Sequence, residues 1–115
     1  MDAERPVTNT EISVQNLINI AMFIDHEGRV MQIPVKEKKR LPVLQYVAAQ
    51  LDAATQYTEQ EINEFLRQSV SVDFMLMRRL LVDAGYLCRT ANGASYWLAS
   101  NIPSNWYRKE RIDQP

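Results

Sequence analysis

Two groups of cations carry the chemistry that this sequence can offer. Lys36, Lys38, Lys39 and Arg40 fall within five residues, and Arg78 and Arg79 are adjacent. A guanidinium group offers a flat fork of donors that fits guanine edges and phosphates, whereas an ammonium group acts on phosphate as a point charge. Arg89, a few residues before Asn92-Gly93, adds a third position that can reach a minor groove. Lys36, Lys38, Lys39, Arg40, Arg78, Arg79 and Arg89 are therefore the candidate DNA-binding residues. Each has a plainer reading. Arg79 precedes Asp83 by four residues, the spacing of a helical ion pair, and Glu61 or Glu64 can lie nearby. The Lys36–Arg40 run can be a solvated connector, and Asn92-Gly93 can be only a turn.

Catalytic chemistry finds less material. His26 is the only histidine, beside a turn glycine, and has no neighbouring cysteine or metal-ligand partner. Cys88 is the only cysteine and falls in a predicted strand, where packing is the expected role. No glycine-rich phosphate loop is present. Glu59, Glu61 and Glu64 form an acidic cluster, but a helix cap and a solvated helix face account for them. The expectation is a protein that is not an enzyme, with no metal site and no cofactor.

The elements that must position the cations follow from composition and periodicity. The chain has 115 residues, 46% hydrophobic and 23% charged, which suits one globular domain. One cysteine excludes an internal disulfide. The polar start, Met1 to Thr10, does not read as a signal peptide, and the longest apolar run, Ile20 to Ile24, is far shorter than a membrane span. A cytoplasmic location without membrane contact is expected. The net charge of −1 conceals segregation: residues 29–40 carry five basic groups and one acidic, whereas residues 41–66 carry four acidic groups and no basic one. Such a chain is no general polyanion binder, yet it can present a basic face.

Helical spacing of Val14, Leu17, Ile18, Ala21 and Ile24 predicts a first helix from about Thr10 to Ile24, with Asn9, Thr10 or Ser13 as cap. Asp25-His26-Glu27-Gly28 should end it. Arg29 to Ile33 reads as a short strand stopped by Pro34. A second helix is predicted from Leu41 to Ala53, with Pro42 in its first turn. Thr58 and Glu61 have the spacing of a capping box, with Tyr57 and Ile62 as a hydrophobic staple, and start a third helix ending near Gln68. Ser69 or Ser71 can cap a fourth helix, Val72 to Ala84, stopped by Gly85. A wheel of ~100° per residue places Phe74, Met77, Leu80, Leu81 and Ala84 inward, and Met75, Arg78, Arg79 and Val82 outward. Tyr86–Thr90 and Ser95–Ala99 then form a hairpin around Asn92-Gly93.

Strand, three helices and hairpin make an α+β plan of winged-helix type: a three-helix core, a small β-sheet with a wing hairpin, and an N-terminal helical extension. The strand Arg29–Ile33 is expected beside the hairpin. Residues 1–28 are the extension, 29–99 the winged-helix-like domain and 100–115 a C-terminal tail that Trp106 and Tyr107 can dock.

Several segments together resemble an uncharacterised family of small bacterial domains of unknown function. They are Phe23-Ile24-Asp25-His26-Glu27-Gly28-Arg29, Ile33-Pro34-Val35-Lys36-Glu37-Lys38-Lys39-Arg40, Tyr57-Thr58-Glu59-Gln60-Glu61-Ile62-Asn63, Asp73, Arg78-Arg79-Leu80-Leu81-Val82-Asp83-Ala84-Gly85 and Tyr96-Trp97. The resemblance spans roughly residues 20–98. The Leu81-Val82 pair stands one residue out of step with the family pattern. The resemblance implies a domain that often accompanies helix-turn-helix regulator modules, and no established activity.

The function expected is a DNA-binding transcriptional-regulator domain. The helix 72–84 would lie in the major groove of double-stranded DNA and the Lys36–Arg40 run would anchor the backbone. The alternative is a winged-helix module that binds a protein partner, favoured by the acidic third helix and by Met75 and Val82 facing outward. Ile20, Met22 and Phe23 exceed what one core stripe needs, so a homodimer through the first helix is a further expectation.

Overall fold

The computed structural model describes residues 9–100, with side chains from residue 15 onward. The elements are α1 (Asn9–Ile20), a 3-10 turn (Ala21–Phe23), α2 (Glu37–Ala48), α3 (Glu59–Ser69), α4 (Phe74–Asp83), β1 (Leu87–Arg89) and β2 (Tyr96–Leu98). They form an α+β fold of winged-helix type. Trp106 and Tyr107, expected to dock the tail, lie outside the described residues.

The first helix tightens to a 3-10 turn after Ile20. In 3-10 geometry residues three apart eclipse one another. Ile20 and Phe23 therefore enter the core together, while Ile18 and Met22 face solvent. This revises both the expected stripe, which placed Ile18 and Ala21 inside, and the expected dimer surface, which included Ile20 and Phe23. The chain then reverses at Asp25, whose carboxylate accepts from the backbone N–H groups of Glu27 and Arg29, each at 2.9 Å. Gly28 completes the turn at φ 85°, with its carbonyl accepting from the Tyr46 hydroxyl at 2.7 Å.

The expected strand at Arg29–Ile33 does not form. Val30 alone makes bridges, antiparallel to Ile24 and parallel to Val70, so this segment lies between the first turn and the end of α3. The Asp25 turn folds it back onto Phe23 before it can reach the hairpin. The third position of the sheet is Tyr57, which exchanges backbone hydrogen bonds of 2.7 and 2.8 Å with Tyr96. The sheet is thus Tyr57, β2, β1, with Leu87 opposite Leu98 and Arg89 opposite Tyr96. Helix, single bridging residue, two helices and hairpin is the order that packs α4 against β1, with α3 and α2 against α4.

Helix α2 begins four residues earlier than expected, at Glu37, and ends at Ala48. Glu37, Lys38, Lys39 and Arg40 are good helix formers, and Pro42 sits inside the helix rather than starting it. The connector of the sequence reading is therefore a first helical turn. Asp52 accepts from the Ala54 N–H and the Thr55 hydroxyl and turns the chain before Ala53 could extend the helix. Helix α3 starts where expected: the Thr58 hydroxyl accepts from the Glu61 N–H at 3.1 Å, and the Glu61 carboxylate accepts from the Thr58 N–H at 2.9 Å.

Helix α4 is capped by Asp73, not by Ser69 or Ser71. Its carboxylate accepts from the Leu76 N–H at 3.0 Å. Ser69 instead ends α3, and the Ser71 backbone is held by Val30. Gly85 stops α4 at φ 82°. Met77 and Leu81 are fully buried with Ile62, Leu66, Val43, Val47 and Tyr96. Burial of each such side chain contributes roughly 1.5–3 kcal/mol, enough to hold α4 against α2 and α3.

Candidate nucleic-acid interface

Arg78 projects from the middle of α4 toward α3. Its guanidinium donates to the Asn63 amide oxygen at 2.7 Å and lies 3.5 Å from a Glu59 carboxylate oxygen. It also sits 5.9 Å from the centre of the Tyr96 ring. Only 20% of the side chain is exposed. The residue expected to face outward thus ties α3, α4 and β2 together. The wheel placed it correctly on α4, but the outer side there is covered by α3. Neither Glu61 nor Glu64 is the partner; Glu61 is held by the cap and Glu64 pairs with Arg67.

Arg79 remains outside, 80% exposed, with its Nε 3.8 Å from the Asp83 carboxylate. An exposed pair at that distance contributes well under 1 kcal/mol. Arg89 also stays near solvent, but it bends onto its own turn, donating to the carbonyls of Thr90 and Ala91 at 3.1 Å each. It shares the Tyr96 ring with Arg78. The turn is organised by Thr90, whose hydroxyl accepts from the Ala94 and Ser95 N–H groups, and by Gly93 at φ 74°. A Cβ at Gly93 would meet the Arg89 guanidinium at 3.2 Å, so glycine also makes room for that arginine.

Lys36, Lys38 and Lys39 are exposed in and before the first turn of α2. Arg40 is half-buried and donates to the Val35 carbonyl. Among the described residues, no carboxylate forms an ion pair with any of the four. The Lys36 side chain provides no cap hydrogen bond. Cations at the positive end of a helix dipole oppose it, so this turn is electrostatically unfavourable on its own.

Between α4 and the hairpin runs an open groove lined by Asp73, Met75, Leu76, Arg78, Arg79, Val82, Asp83, Arg89 and Tyr96. Met75 is 58% and Leu76 40% exposed. Leu76 belongs to neither side of the wheel drawn from the sequence, and its exposure follows only from how α4 packs.

Two further arginines escaped the sequence reading. Arg29 donates to the carbonyls of Arg67 and Val70 at 3.1 and 2.9 Å, placing a cation at the negative end of α3. Arg67 stacks 4.7 Å from the Phe74 ring. Nothing local signals either contact, because both partners come from other segments.

His26 lies in the exposed turn, and Cys88 is half-buried in β1 opposite Trp97. Among the described residues, no group of histidine, cysteine, aspartate and glutamate side chains is arranged to hold a metal ion, and no helix is long and apolar enough to cross a membrane. The carboxyl of Asp25 titrates below its ordinary range, chiefly because the Arg29 N–H stabilises the charged form. Asp52 shifts the same way, through the Ala54 N–H and then the Thr55 hydroxyl.

Residues 29–98 match a family described as an uncharacterized protein conserved in bacteria (DUF2087). No curated protein and no solved structure matches the chain.

Proposed function

The chain belongs to this bacterial family, and we propose that it binds double-stranded DNA as a domain of a transcriptional regulator. One observation carries the reading: a winged-helix order of elements bears a turn, Lys36 to Arg40, whose four cations have no carboxylate partner among the described residues. Unpaired cations crowded at the positive end of a helix carry a stability cost that an external anion would relieve. DNA supplies phosphates as a dense array, and each neutralised phosphate releases condensed counterions. The resemblance to a domain accompanying helix-turn-helix regulator modules points the same way. Arg78 is withdrawn from the contact by Glu59 and Asn63.

The test is titration of the full chain into a labelled mixed-sequence duplex at two salt concentrations. Four phosphate contacts predict an affinity loss of about 100-fold between about 50 and 200 mM salt. Absence of binding at the lower concentration overturns the proposal.

A second reading is favoured by a separate observation. The outward side of α4 is apolar at Met75 and Leu76 and borders a groove with Val82 and Tyr96. Arg78, Arg79, Arg89, Asp73 and Asp83 line the same groove, and a surface of this mixed character suits a partner-protein segment with apolar anchors and charged flanks. It becomes the leading reading if the duplex titration fails.

A further inference from the structure

We propose that this domain grips the DNA backbone through the first turn of α2 and does not read bases with α4. The inference rests on the DNA-binding reading above and specifies its docking mode.

In a helix-turn-helix the second helix enters the major groove and the first crosses the backbone. Here those helices are α4 and α3. Their carboxylates are Glu59, Glu61, Glu64, Asp73 and Asp83, against the guanidinium groups of Arg67, Arg78 and Arg79. Each of those three arginines already has a carboxylate within 4 Å. The N-terminal end of α4, where base contacts concentrate, presents Asp73 and then the apolar Met75 and Leu76. A phosphate brought to this side meets an excess of helix carboxylates, each helix arginine already has one of them beside it, and Arg89 at the groove is turned onto the carbonyls of its own loop.

The α2 turn is the reverse. Lys36, Lys38 and Lys39 are all exposed, and Glu37 is the only acid among them. Lys36 is the extended cap residue, and Lys38 and Lys39 are successive helical positions about 100° apart, so the charge spreads over a curved surface rather than converging on one point. That distribution suits successive phosphates along a strand more than a single small anion. It lacks the broad apolar face with which a helix enters a membrane surface; Val35 is the one strongly exposed apolar residue beside it. Backbone contacts orient a protein on DNA without carrying sequence information. The predicted behaviour is duplex binding with little sequence preference.

The experiment compares the full-length chain, K36A/K38A/K39A and R79A on several DNA duplexes of different sequence. Circular dichroism checks that each variant folds, and anionic phosphatidylserine vesicles serve as a parallel probe. Wild type should bind all duplexes within about threefold of one another, as backbone contact requires. The triple variant should lose about three from the slope of log affinity against log salt, and R79A should change affinity less than about twofold. A loss of tenfold or more in R79A, or a tenfold preference among duplexes, overturns this docking mode while leaving DNA binding intact. Failure of wild type to bind any duplex overturns the functional reading itself. Vesicle binding that depends on the three lysines, without duplex binding, overturns both.

Discussion

The guanidinium of Arg78 and the ammonium groups of Lys36, Lys38 and Lys39 bring the same charge into opposite circumstances. Arg78 sits where three elements meet, and Glu59, Asn63 and the Tyr96 ring surround it. The lysines stand at the start of α2, where no carboxylate among the described residues pairs with them. The first charge has become part of the architecture. The second opposes the helix dipole beneath it and remains available to something outside the molecule. A cation's type and its place on a helix wheel do not distinguish the two; the neighbours do.

The comparison can be broken or sharpened by mutation. The largest expected effect tests whether α4 belongs to the core, as its role in holding Arg78 requires. Leu81→Ala should cost about 2–5 kcal/mol in urea unfolding, because Leu81 is fully buried. An effect under about 1 kcal/mol would mean that α4 is not packed as described.

Arg78→Ala should cost about 1–2 kcal/mol, since a charge-assisted hydrogen bond is removed and Glu59 and Asn63 lose their partner. No loss of stability there would erase the contrast with the lysines. Thr58→Ala tests the neighbouring start of α3 and should cost about 1 kcal/mol, because the capping box is fully formed. Lys38→Glu should do the opposite of Arg78→Ala. It removes a cation from the positive end of α2 and should raise the unfolding free energy by a few tenths of a kcal/mol. The same variant should weaken duplex binding, so stability and binding would move in opposite directions. A destabilised Lys38→Glu protein would show that the lysine is structural after all.

The smallest effect concerns Asp25 and Asp52. Both carboxyls titrate lower in the folded chain than their ordinary value of 3.8. The folded state therefore favours their charged forms. Their contribution to stability is complete above the ordinary value and is lost as pH falls through the lowered folded values. The contribution of these two carboxylates to the unfolding midpoint should be constant above about pH 5 and fall in acid, and Asp25→Asn should reduce that acid-dependent part.

The parts of the fold that were legible are those whose signals lie within a few residues. Thr58 and Glu61 marked the start of α3, because the capping box bonds backbone and side chains three residues apart. Gly85 marked the end of α4 and Asn92-Gly93 the hairpin turn, because glycine there adopts a positive φ. The start of α2 was misplaced because Pro42 was read as a helix start, although the charged residues before it favour helix equally well. The strand at Arg29–Ile33 was misread because β-branched residues fit any half-buried extended segment. Val30 is buried against Ile24 and Val70 instead, and Tyr57 takes its place beside β2. Of the candidate site, Arg79 stayed exposed, whereas Arg78 was drawn in by residues on α3.

The sequence alone determined where α3 begins, where α4 stops and where the hairpin turns, because those signals arise from neighbours along the backbone. It also determined that four cations would stand together at Lys36 to Arg40. Only the tertiary structure decided which cations are neutralised. Asn63 and Arg78 are fifteen residues apart, and they meet only because α3 and α4 pack around Ile62, Leu66, Met77 and Leu81. A charge pair of this kind depends on how two helices lie against each other, which a periodic pattern within one helix does not encode.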